Sequence, residues 1–171
     1  MEQKPSTAQI AIKWGIISAL ILSIISTGIN LTDLWKNSWA TLISILPMIL
    51  FLWLAMKEFK SQNNEYMTYG EGLSIGLLIG AISGIISAVY SYIYGAFIDP
   101  GFKDRLMDFQ IEKFEESGLS DEQIDAAVEM SSKFSGGGLQ FVGVIISMLI
   151  MTFIISLVVA AILQKKKPVF N

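Results

Sequence analysis

The residues best able to do chemistry are acidic and close together. Ten of the fifteen carboxylates lie between Asp99 and Glu129. Within that run Glu122, Asp125 and Glu129 fall at i, i+3 and i+7, which puts three carboxylates on one face of a helix. Such a face could hold a divalent cation or dock a basic partner. The glycine-bearing spacing of a calcium loop is absent, and a solvated helix face accounts for the same residues, so the solvated face is the reading adopted. Carboxylate pairs can also act as acid and base, but nothing singles out one pair among ten.

Hydroxyl chemistry has less support. Serines are plentiful, but the chain has no histidine to activate one and no cysteine. The stretch "GEGLSIG" lacks the lysine and the preceding strand of a phosphate-binding loop. "FSGGG" lacks the strand–turn–helix setting of a nucleophile elbow. Net charge is −3, with no basic patch suited to nucleic acid. The sequence therefore predicts a non-enzyme with no catalytic, cofactor-binding or metal-binding residues and no nucleic-acid partner.

The elements that carry these residues are apolar. Hydrophobic residues make up 53% of the chain and charged residues 16%, against about 25% charged in soluble domains. They are gathered into four nearly charge-free blocks, at about 14–31, 38–56, 72–98 and 139–163. Each is long enough to cross a hydrocarbon core, roughly 20 residues at 1.5 Å per residue. Lipid offers the backbone no hydrogen bonds, so each block must be a helix. The first block exceeds the apolar run of a cleaved signal, roughly 7–15 residues, and reads as an anchor. The fold class is all-α: one polytopic membrane domain over 1–171, with the lipid bilayer as its first partner.

Four spans place both termini on one side. That side holds Lys4, Lys13, Lys57, Lys60, Lys165, Lys166 and Lys167, and the other holds Lys36, Lys103, Arg105, Lys113 and Lys133. The excess of basic residues predicts cytoplasmic termini. The polar segment at 99–138 then lies outside the cell membrane as an amphipathic helical hairpin. Asp99-Pro100 ends the third span. Gly118 reads as the left-handed glycine closing the first hairpin helix. Ser120 and Gln123 read as a capping box opening the second, and 136–138 as a flexible link to the last span.

The third span carries Gly72, Gly76, Gly80, Gly84 and Ala88 at intervals of four, and the first carries Gly15, Ala19, Ser23 and Thr27. Small residues at every fourth position let membrane helices approach closely. The two stripes lie at matched depth, so the expectation is direct contact between them, with Gly76 and Gly80 against Ala19 and Ser23. A pore lining or a seam between copies would use the same stripe. Pro47 is expected to kink the second span locally. No ionisable residue lies inside the four blocks; Glu71 and Gln140 sit at the starts of the third and fourth spans.

Four motifs occur together: "YGEGLSIGLLIG" opening the third span, "YSYIYGAFIDPGF" closing it, "LSDEQIDAAVEMSSKF" in the hairpin and "SLVVAAILQKK" at the end. In these the chain resembles the domain of unknown function 4199 family, small bacterial membrane proteins, over nearly its whole length. The resemblance implies four spans and a bacterial inner membrane, and it implies no activity, substrate or site residue. From the residues themselves the leading reading is a non-enzymatic scaffold or accessory subunit, with a membrane-protein partner or a homo-oligomer. The alternatives are a small oligomeric channel or transporter along the serine faces, and a divalent-cation-responsive protein acting through the acidic hairpin.

Overall fold

The computed structural model describes residues 5–37, 39–134 and 137–167. It is a helical bundle of α1 (Thr7–Leu31), α2 (Ala40–Gln62), α3 (Tyr69–Ile93), α4 (Phe102–Glu116), α5 (Asp121–Phe134) and α6 (Gly137–Leu163). Helices α1, α2, α3 and α6 are long and apolar enough to cross a membrane. Isoleucines and valines such as Ile24, Ile85, Ile154 and Val158 cover the outside of the bundle. That suits hydrocarbon and would be a liability in water.

Local chemistry explains where these helices begin. Ser6 caps α1 by accepting from the Gln9 backbone N–H. Thr68 and Glu71 form a reciprocal capping box at the start of α3, satisfying two otherwise unpaired amides. Glu71 is thus a cap for the third span, a role its position alone did not reveal. Pro47 lies inside α2, which continues through it.

The α3 helix is the hub, packed on α1 and α6, and α1 and α6 each also pack on α2. At the end holding the termini the four helices close tightly. Leu52, Met56, Phe59, Met67 and Ile75 are each 0% exposed there. Lys13 and the Trp14 indole N–H both bond the Glu58 carboxylate, at 2.9 and 2.7 Å, tying α1 to α2. Met67 and Lys165 exchange two backbone hydrogen bonds as an antiparallel bridge just beyond α3 and α6.

At the opposite end α3 does not simply stop. Its last turn widens into a π-turn, Tyr94–Ile98, before Asp99 leaves the helical conformation (φ −143°, ψ 78°) ahead of Pro100. The α4–α5 pair follows. Gly118 has φ +76°; its N–H bonds Glu115 O, and the Leu119 N–H bonds Phe114 O. This is a Schellman closure, which favours glycine because a side chain is strained at that φ. The Gln123 side chain reaches back to the Ser120 N–H at 3.0 Å, one half of the expected capping box; the Gln123 N–H bonds the Ser120 carbonyl at 2.9 Å rather than the Ser120 hydroxyl, so the reciprocal half is not formed. Of the expected link at 136–138, residue 136 lies outside the described residues, while Gly137 and Gly138 already belong to α6.

Candidate functional site

The glycine stripe of α3 faces α6. A Cβ built on Gly72 would stand 2.6 Å from the Ala160 Cβ. On Gly76 it would overlap the Ser156 hydroxyl, and on Gly80 the Thr152 hydroxyl. On Gly84 it would lie 3.2 Å from the Ile145 Cα and the Met148 Cβ. Each four-residue step along α3 is answered by a four-residue step back along α6, and the Met67–Lys165 bridge continues the same register. The expected pairing of Gly76 and Gly80 with Ala19 and Ser23 is therefore corrected. Thr152, Ser156 and Ala160 form an equally regular small stripe on α6, and an antiparallel partner meets all four glycines in turn. That spacing was present in the sequence and was the missed signal.

Helix α1 does touch α3, but on a different face. A Cβ on Gly15 would lie 2.9 Å from the Ile82 side chain. Ala19 is 0% exposed. Ser23 is half-buried and donates to Ala19 O, and Thr27 shares a 2.5 Å hydrogen bond with the Tyr90 hydroxyl. Ala88 is buried beside a small crevice that it lines with Gln140 and Val144.

Beyond Gly84 the helices part around a cavity of about 720 Å³ in the hairpin half of the bundle. Its walls present Ser26 and Asn30 from α1, Ser44 from α2, Ser87 and Ser91 from α3, and Gln140 from α6. Its floor is Leu22, Met48, Met148 and Met151, directly above the sealed half. Phe102, Leu106, Met107 and Gln110 of α4 roof it, and Lys103 and Asp104 are the charged lining residues among those described. The π-turn brings Tyr94 and Gly95 into the same wall.

The hydroxyls divide into two kinds. Among the described residues every buried serine or threonine donates to its own helix: Ser18 to Gly15 O, Ser83 to Ile79 O, Thr152 to Met148 O and Ser156 to Thr152 O. This is the usual way to satisfy a hydroxyl in a membrane helix. Ser26, Asn30, Ser44, Ser87, Ser91 and Gln140 are half-buried, and their side chains have no hydrogen-bond partner among the described residues. No side-chain N or O among those residues is both enclosed and unpaired, so these groups keep a face on the cavity. Single helices could not have revealed this, because the six polar groups come from four different spans.

The roof is held from outside the spans. Trp35, in the short turn Leu34–Lys36, packs edge-on against Phe102 and Phe109 of α4 at centroid distances of 5.6 and 5.3 Å. Arg105 grips the Asp99 carboxylate with both terminal guanidinium nitrogens, at 3.2 and 2.6 Å, and Tyr94 donates to the same carboxylate at 3.3 Å. The Arg105 hydrogen bond, with help from its charge and from Tyr94, holds the Asp99 carboxyl below the ordinary aspartate range. The other carboxylates disperse. Glu129 pairs with Lys133 and Glu116 with Lys113, and no group of three or more metal-ligating side chains converges among the described residues.

No curated protein and no solved structure matches the chain. A family model described as "Protein of unknown function (DUF4199)" matches residues 13–165. That span runs from Lys13, which bonds Glu58, to Lys165, which closes the bridge to Met67, and so takes in the four-helix bundle, the cavity and its roof. The chain belongs to the DUF4199 family.

Proposed function

We propose that this membrane protein is a non-enzymatic scaffold or accessory subunit, with both termini in the cytoplasm of a bacterial cell and the α4–α5 segment outside its inner membrane. The observation that carries this reading is the seal beneath the cavity. Leu52, Met56, Phe59, Met67 and Ile75 are each 0% exposed, so a solute in the cavity meets packed side chains rather than a path across. A close-packed interior of this kind leaves few voids larger than a water molecule. The basic residues favour the stated orientation.

The convergence of serines on one cavity favours a second reading, a small channel or transporter. Reconstitution into liposomes separates the two. The accessory reading predicts that permeation of ions and small neutral solutes matches protein-free vesicles, and that crosslinking in native membranes joins the chain reproducibly to a membrane protein. A solute flux that requires the protein and disappears in Ser87→Leu would overturn it in favour of transport.

A further inference from the structure

We propose that the cavity beneath α4 is a binding site for an uncharged amphiphile, a molecule with an apolar body and hydroxyl or carbonyl groups at one end. Four observations converge on that class. First, six polar side chains from four helices face the cavity with no partner among the described residues. In an open cavity such groups can bond water, and a guest that presents hydroxyl or carbonyl groups at the same places can take over those hydrogen bonds. Second, among the described residues the wall contains no charged side chain below the mouth, where Lys103 and Asp104 stand. An ionic group taken down to Ser44 or Ser87 would find no counter-charge. Third, the floor is Leu22 and three methionines, Met48, Met148 and Met151. Thioethers adapt to irregular apolar shapes, which suits a flexible chain. Fourth, the volume of about 720 Å³ falls within the range of small-molecule sites, roughly 300–1,000 Å³.

The site is distinct from the close-packed seam. The hydroxyls of Thr152 and Ser156 are already satisfied and lie against glycine backbone. The inference also stands apart from the accessory reading, since a ligand can be held whether or not solutes cross the membrane.

The chain has no cysteine, so a single introduced thiol reports on the cavity. The full chain carrying Ser87→Cys is placed in lipid nanodiscs and treated with a neutral, water-soluble thiol reagent. Val89→Cys, on the outer face of the same helix, is the control; Val89 is exposed there. Ser87→Cys is expected to react faster than the control. Monooleoylglycerol supplied in the bilayer, or monooctanoylglycerol added from water, is expected to slow it by about tenfold near saturation, as occupancy of one site requires. Protection by the first alone assigns a membrane source, and by the second alone a soluble one. Octadecane and oleate should give no protection. Ser26→Cys on α1 is expected to behave as Ser87→Cys does, which guards against a local defect in either variant. The proposal is overturned if both cavity thiols react no faster than the control, if neither monoacylglycerol protects them, or if oleate or octadecane protects equally well.

Discussion

The Ser156 hydroxyl occupies the position that a side chain on Gly76 would need. That hydroxyl is held in place by its own bond to Thr152 O, at 2.6 Å. The glycine is therefore required by a neighbouring helix and not by a turn. Its poor helix propensity, about 1 kcal/mol below alanine, is offset by the backbone approach it allows.

Gly76→Ala should consequently destabilise the bundle. The methyl group must displace Ser156, and overpacking of this kind typically costs about 1–3 kcal/mol. Ser156→Gly in the same chain should recover part of the loss, a coupling visible in a double-mutant cycle of thermal unfolding in detergent. Gly28→Ala is the control, because a Cβ there meets nothing within 4 Å. It should be neutral or mildly stabilising. Equal effects at Gly76 and Gly28 would contradict the seam.

The orientation can be read with single cysteines. Ser61 and Ser117 are both exposed, at opposite ends of the bundle. In intact cells Ser117→Cys should react with a membrane-impermeant thiol reagent while Ser61→Cys should not. The reverse pattern would invert the proposed topology and put the roofed cavity on the cytoplasmic side.

The roof should respond to acid. Because Arg105 lowers the folded-state pKa of Asp99, the pair contributes fully above the ordinary aspartate range. The contribution declines as pH falls below that range and is gone once pH drops through the lowered value. Amide exchange in the first turns of α4 should thus be unchanged by pairing between pH 7 and 5 after correction for intrinsic rates. It should rise only under stronger acid. Arg105→Gln should raise it already at neutral pH. If Arg105→Gln left exchange unaltered, the ion pair would not be what holds the roof.

Some of this was legible in the residues and some was not. Four charge-free blocks gave the spans, because length and hydrophobicity alone decide what lipid accepts. Gly118 and Ser120 marked the α4–α5 turn, because the conformations they favour are local. The glycine stripe announced a close contact but not its partner: α1 and α6 both carry small residues every fourth position, and the antiparallel register that selects α6 is a property of the assembled pair. The cavity was hidden for a related reason. Ser44 on α2 and Gln140 on α6 have no relationship in sequence, and Ser87 looks like Ser83 until one is seen bonded to its own helix and the other facing open space. The π-turn likewise left no trace beyond an aromatic run before Asp99-Pro100.

The central claim is that the bundle is open toward α4 and sealed toward the termini. Paired cysteine accessibility tests it most directly, with Ser44→Cys in the cavity wall and Ile75→Cys in the seal, each treated with a small water-soluble thiol reagent from both sides of the membrane. The account predicts that Ser44→Cys is modified from the α4 side only, and that Ile75→Cys is protected from both. Modification of Ile75→Cys at a rate comparable to Ser44→Cys would contradict it: from the α4 side it would mean a continuous water path to the seal, and from the side of the termini a seal that is open.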